Sequence, residues 1–265
     1  APYAKSDLMC EKRFHREVHA TASLCSPHTV RIYDFGVCED GSLYYVMELL
    51  KGENLNTLIE QCGKIPLARS IFILKQICLS LTEAHFHGIV HRDIKPDNIL
   101  VCAMPPHYDF VKVLDFGITK ELNYNKDDNL TGEKILGTPA FLAPEFISDN
   151  GPVGVKADVY SFACLAYYML VGKKLFDNEN LMKCLASHIH DAPPSISAFG
   201  NFKKFPGSLE AVLLQCLSKD PLQRPNIHEV FECLVSLEDS FPWKHKEARM
   251  WWNENKACIS PECMM

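Results

Sequence analysis

Apolar residues recur along this chain in blocks of helical or alternating spacing, and proline or glycine separates the blocks. From Ser6 to Leu24 charged and apolar residues interleave, with Phe14, Val18 and Ala22 on one face, which predicts a helix ended by Ser26-Pro27. Val30 to Val37 and Leu43 to Leu49 read as two strands, joined by a turn at Asp40-Gly41. Gly52 marks a boundary, and Glu53 to Gln61 reads as a short helix. Pro66 suits the first turn of the next helix, whose apolar stripe is Ile71, Leu74, Ile77, Cys78, Leu81 and Ala84 and which Gly88 ends.

Two short strands are expected at Ile99–Cys102 and Phe110–Leu114. Thr119 to Leu136 is polar, with abundant Asn and Asp, and reads as a mobile loop. Helices are expected near Lys156–Val171, Leu181–Ile189, Leu209–Ser218 and Ile227–Leu237, punctuated by Pro193-Pro194, Pro206-Gly207 and Pro221. The longest apolar run, Val159 to Val171, is too short to span a bilayer comfortably, contains Ser161 and is flanked by Asp158 and Lys173. It reads as a buried helix, so no membrane span is expected in this chain. Beyond Glu238, Trp243, Trp251 and Trp252 stand amid charge and suggest a docked tail or a partner-binding segment. No internal repeat is visible.

The 265 residues are 47% apolar, enough for a substantial core and incompatible with global disorder. A formal charge of -6 argues against a nucleic-acid platform, and no nucleic-acid partner is expected. The 12 cysteines are scattered and form no C-x-x-C pair, which points to free thiols in a reducing compartment and a cytoplasmic location. No signal-peptide pattern opens the chain. His85, His87 and His91 cluster, but two of them end a helix and the third has a place in a loop. His188 and His190 read as residues of a surface helix. Gly132 to Thr138 has P-loop spacing without the lysine such a loop needs after Gly137.

Three ordered segments carry the chemistry. His91-Arg92-Asp93-Ile94-Lys95-Pro96-Asp97-Asn98 puts a carboxylate, an ammonium and an amide within six residues, and Asp115-Phe116-Gly117 and Ala143-Pro144-Glu145 follow. Each residue alone is weak evidence, since an isolated Asp is usually a turn or cap residue; the ordered set is what discriminates. Phosphoryl transfer needs a positioned hydroxyl, a metal-bound triphosphate and charge neutralisation. Asp93 can accept or orient the hydroxyl proton, and Lys95 can reach the transferring phosphate. Asn98 supplies a neutral oxygen for Mg²⁺ and Asp115 an anionic one.

With these motifs in place, the chain from about Phe14 to Leu237 resembles the eukaryotic-like serine/threonine protein kinases, and among them the bacterial (Hanks-type) members. The resemblance is carried by Val113-Leu114-Asp115-Phe116-Gly117, by the run from Gly137-Thr138-Pro139 through Ala143-Pro144-Glu145, and by Asp158-Val159-Tyr160-Ser161-Phe162. Lys95 and Gly137-Thr138-Pro139 imply serine/threonine rather than tyrosine specificity. The resemblance implies an α/β (α+β), two-lobed kinase fold with a truncated small lobe at 1–50, a largely helical large lobe at 51–238 and a tail at 239–265. It also implies ATP and Mg²⁺, a protein substrate with Ser or Thr, and self-association for autophosphorylation.

It assigns further roles. Glu17 matches the helix glutamate that pairs with an ATP-contacting strand lysine, and Met47 the gatekeeper. The backbone of Glu48 and Leu50 would meet the adenine edge, with Leu100 beneath the ring. His91 and Phe116 would belong to the hydrophobic spine, Glu145 and Arg224 would form a structural ion pair, and Asp158 would brace the catalytic loop. Arg92 would hold a phosphorylated activation loop, with Thr131 as the candidate phosphosite. Thr138 would contact Asp93 and Lys95.

No G-x-G-x-x-G loop and no strand lysine precede these motifs, and Lys5 lies too few residues from Glu17 to serve. Two readings follow: a fragment of an active kinase cut inside the small lobe, or a pseudokinase acting as a scaffold or regulatory module. Intact Asp93, Lys95, Asn98 and Asp115 favour the first. In both, the chain as given is expected to be weakly active or inactive.

Overall fold

A computed structural model describes residues 14–116, 139–148, 153–177, 180–199 and 204–255. The first described element, helix α1 over residues 14–22, buries Phe14 and Val18 against Ile32, with Phe35, Leu43 and Tyr45 at the edge of that small cluster. Strands β1 (Ile32–Val37) and β2 (Leu43–Met47) pair antiparallel through a turn at Gly41, as the Asp40-Gly41 signal predicts.

This small lobe is tied to the rest through the segment between α1 and β1. The backbone amides of Cys25 and Ser26 donate to the two oxygens of Glu83, at 2.7 and 2.6 Å. Val30 N donates to Val113 O at 3.0 Å, and Val113 N donates to His28 O at 2.8 Å. Glu83 lies on α3 (Leu67–Phe86) and Val113 ends β5 (His107–Val113), so the small lobe is moored to the large lobe at two elements.

Gly52–Asn54 is a strand, β3, rather than the start of a helix; α2 begins only at Leu55 and runs to Cys62. Three residues are too few to show an alternating pattern. Their signal is Gly52 itself, where a Cβ would stand 2.5 Å from the Val101 carbonyl oxygen of the neighbouring strand. β3, β4 (Ile99–Met104) and β5 form an antiparallel sheet in that order. β4 runs two residues past the expected Cys102, to Met104, and β5 starts three residues earlier than expected, at His107, because the turn at Pro105-Pro106 lets Ala103 and Met104 pair with Tyr108 and His107.

The large lobe packs around one helix. α4 (Pro144–Ile147) precedes α5 (Val155–Val171), in which every residue from Ala157 to Leu170 is buried. A helix apolar on all sides has to sit in the middle of a bundle. Gly172 ends it at φ 78°, the left-handed conformation in which glycine carries no Cβ penalty. Helices α6 (Leu181–His190), α7 (Ile196–Phe199), α8 (Gly207–Cys216) and α9 (Ile227–Ser236) surround it, together with α3. Among the described residues no helix is long and apolar enough to cross a membrane.

One feature differs from the sequence reading. His188 is completely buried rather than on a surface, with its Nδ1 3.0 Å from the Tyr160 hydroxyl, while His190 is exposed. The buried Cys184 and Leu185, four and three positions earlier, already mark that face of α6. The Trp-bearing stretch forms a helix, α10 (His245–Glu254), docked on this chain with Trp252 2% exposed. The described cysteines are free thiols.

Candidate active site

The loop between α3 and β4 is shaped by one buried carboxylate. Asp158, in the first turn of α5, accepts from His91 N and Arg92 N, both at 2.8 Å, and lies 2.9 Å from His85 Nε2. Two consecutive amides can converge on one carboxylate because Arg92 takes φ 64°, a left-handed backbone that non-glycine residues adopt mostly where the surroundings enforce it. The His91 ring is fully buried, and burial holds its pKa below the usual histidine value. Its Nδ1 accepts from Asp93 N at 3.2 Å, which leaves Nε2–H to donate to Leu114 O at 2.9 Å. A neutral imidazole thus links the catalytic loop to the turn ahead of Asp115, and its centroid lies 4.5 Å from that of Phe116.

A single turn at Pro96–Asn98 then brings Asn98 back over Asp93. The Asn98 amide donates to Asp93 O at 2.8 Å and to Asp93 Oδ2 at 2.9 Å, and Lys95 Nζ lies 3.0 Å from the same oxygen. Both protons of the amide face Asp93, so its carbonyl oxygen remains as an acceptor. Leu114 N donates to Asn98 O at 2.9 Å, which puts Asp115 beside this cluster. Asp115 has φ 50° and is exposed; its Oδ1 accepts from the Tyr45 hydroxyl at 2.7 Å, and Oδ2 takes no hydrogen bond from a described residue. Burial, then the neighbouring carboxylate, pushes the Tyr45 phenol well above its usual pKa, so it is a donor at any physiological pH.

These donors suit Mg²⁺. Among the described residues no group of three or more His, Cys, Asp or Glu side chains could hold a metal unaided. One amide oxygen and one carboxylate oxygen form the sparse, hard shell that Mg²⁺ takes when phosphates and water complete it.

Glu17 of α1 points at the same loop, with Oε1 3.8 Å from Arg92 Nη1. Met47, at the end of β2, is 44% exposed. The carboxylate of Glu48 binds Lys112 Nζ at 2.5 Å and Arg31 N at 2.8 Å, Leu50 is half-buried, and Leu100 is half-buried on β4. Gly117, Thr131 and Thr138 lie outside the described residues.

Away from the cleft, Arg224 meets Glu145 through both terminal nitrogens, at 2.6 and 2.8 Å. It also donates to the carbonyls of Ser218, Lys156 and Lys219, so all five guanidinium N–H groups are used.

A second buried pair was not foreseen from sequence. Asp109 and Arg69 are fully buried and meet twice, at 3.0 and 2.7 Å; Trp243 Nε1 and Trp252 Nε1 donate to the same carboxylate, and Arg69 stacks 3.5 Å from the Trp251 ring centroid. Tyr45 was likewise passed over. Its signal is its place on β2, half-buried between the exposed Tyr44 and Val46.

Comparison with known proteins agrees with this geometry. The family model for the protein kinase domain matches residues 3–234. The serine/threonine-protein kinase pkn3 of Myxococcus xanthus is 30% identical over 236 residues, 88% of this chain and 43% of that protein. A probable serine/threonine-protein kinase of Clostridium acetobutylicum is 36% identical over 231 residues, 86% of this chain and 34% of its own length. The serine/threonine-protein kinase PrkC of Bacillus subtilis is 33% identical over 221 residues, 83% of this chain and 33% of its own length. The chain therefore spans between a third and under half of these curated relatives. It belongs to the protein kinase family, as a serine/threonine kinase domain of the bacterial, Hanks type.

Proposed function

We infer that this domain transfers the γ-phosphoryl group of ATP, with Mg²⁺, to a serine or threonine hydroxyl of a protein. The observation that carries this is the convergence of Asn98 Nδ2 and Lys95 Nζ on one oxygen of Asp93, next to the turn that bears Asp115. With Oδ2 held by Asn98 and Lys95, the partly exposed Asp93 carboxylate would accept the proton of the substrate hydroxyl. Such a base contributes about 10²–10⁴-fold. Lys95, fixed against Asp93, places its charge where the transferred group becomes more negative. The oxygens of Asn98 and Asp115 would hold Mg²⁺, which supplies charge neutralisation on the phosphates when bound. The backbone of Glu48 and Leu50 and the side chains of Met47 and Leu100 would line the adenine site.

Residues 1–50 act as part of the small lobe, 51–238 as the large lobe and 239–265 as a tail, in a cytoplasmic setting. Arg92 would receive a phosphate on Thr131; it lines a cavity of about 160 Å³ with Arg16, Glu17 and Phe116, which supports anion capture there. Thr138 would contact Asp93 and Lys95, and autophosphorylation would need two copies to meet.

The test is transfer of labelled phosphate from ATP·Mg to a serine- and threonine-containing acceptor. It is run on a polypeptide that joins this domain to a glycine loop and strand lysine, with and without Asp93→Asn. Loss of transfer in the variant is expected; equal transfer in both would refute the assignment. The 265 residues alone should transfer slowly, because each missing preorganised charge costs about 10²–10³-fold.

A further inference from the structure

We propose that Tyr45 is a positioning residue for Asp115: its hydroxyl, reaching across from the small lobe, fixes the carboxylate that would bind the metal ion. This rests on the reading of Asp115 as a metal ligand. Tyr45 stands in the middle of β2, and its ring packs at the edge of the Phe14, Val18 and Ile32 cluster. Phenylalanine would fill that space equally well. What the hydroxyl adds is one bond, 2.7 Å to Asp115 Oδ1, 70 positions along the chain and on the other side of the cleft. It has no other hydrogen-bond partner among the described residues.

Asp115 needs such a partner. It is exposed, it sits at φ 50° at the end of a strand, and among the described residues only one of its oxygens takes a hydrogen bond. Without a donor its carboxylate would be free to turn about both side-chain torsions. A phenol on Oδ1 removes that freedom and leaves Oδ2 for a cation. Hydrogen bonds behind a ligating carboxylate commonly change metal affinity by about 10–100-fold. Because donor and acceptor lie on different lobes, the ligand is set only when β2 and the β5 end are close, so lobe closure and metal affinity are coupled.

The experiment is a double-mutant cycle on the full 265-residue chain, with Mn²⁺ alone as probe and loss of the free-ion paramagnetic resonance signal as readout. Four proteins are titrated: wild type, Tyr45→Phe, Asp115→Asn and the double variant. The expected results are that Tyr45→Phe weakens the Asp115-dependent Mn²⁺ site about 10-fold, and that in the Asp115→Asn background the same change moves binding less than about 2-fold. A residue that merely supported the small lobe would weaken binding equally in both backgrounds, and that result overturns the proposal. So does Mn²⁺ binding by Tyr45→Phe as tight as, or tighter than, wild type while Asp115→Asn weakens it; the metal-ligand reading then survives alone. If Asp115→Asn itself changes nothing, the metal-ligand reading falls and takes this proposal with it.

Discussion

Two polar clusters in this molecule use the same ingredients and end in opposite states. Around Asp109, a carboxylate meets a cation and N–H donors with no solvent access: Arg69 contributes two bonds, Trp243 and Trp252 one each, and Trp251 covers the guanidinium. Around Asp93, a carboxylate meets a cation and an amide, but it is 18% exposed. Asp115 is more open still, with one donor on one oxygen among the described residues. A carboxylate sealed from solvent within the chain can only brace; one partly exposed at a cleft can act on something from outside. The degree of exposure, more than the residue types, separates the two clusters.

The sharpest way to break this comparison is to neutralise the open carboxylate. Asp93→Asn should lower phosphate transfer by about 10²–10⁴-fold in a polypeptide that carries the whole cleft. Its urea midpoint should shift little, because the site is partly solvated and the amide can still accept from Lys95. A variant that lost stability in proportion to activity would place Asp93 with the braces.

The same substitution at the sealed carboxylate should do the reverse. Asp109→Asn keeps the shape and tolerates the observed φ of 58°, but leaves the Arg69 charge buried without its counterion. Breaking such a pair costs about 3–5 kcal/mol, a large part of a domain's total stability. Urea unfolding followed by tryptophan fluorescence would measure it. A loss under about 1 kcal/mol would mean that water or another group reaches Arg69, and the cluster would not be sealed.

How far each cluster could be read in the sequence follows from the same contrast. The loop after α3 packs Asp93, Lys95 and Asn98 into six positions, so the spacing on which the proposed chemistry rests is visible before any fold is known. The long apolar run of α5 and the stripe of α3 are local as well. Arg69 and Asp109 are 40 positions apart, and Trp243 and Trp252 lie 134 and 143 positions beyond Asp109. Nothing in the neighbourhood of any one of them points to the others, and Arg69 looks like a solvated helix residue until its partners are in view. Tyr45 was hidden for the same reason: its ring reads as part of a strand, and only the fold shows where its hydroxyl ends.

A smaller effect should come from the tail's share in the seal. Trp252→Phe keeps most of the packing and removes one N–H bond to the Asp109 carboxylate, worth about 2 kcal/mol for a bond to a charged group. The expected outcome is a modest stability loss with Arg69–Asp109 retained. Little change in Trp252→Phe beside a large loss in Asp109→Asn would assign the seal to the ion pair alone.

The last test concerns a titratable group that is sealed but neutral. His188 is buried between Tyr160 and Phe176, with Lys219 close by, and burial, then that lysine, pushes its pKa down to about 4. The unfolded chain binds a proton near the ordinary value of about 6.5, and the folded one does so only near 4. Stability is therefore full above about pH 6.5 and falls as the pH drops through the interval toward 4, by up to about 2 kcal/mol between pH 7 and 5. His28 and His91 are shifted down by burial in the same direction and add to that slope. His188→Gln cannot take up a proton, so urea stability measured at both pH values should fall less steeply in the variant than in the wild type. An unchanged slope would mean that His188 meets water in the native state. It would then belong with the open groups of the cleft rather than with the sealed groups of the core.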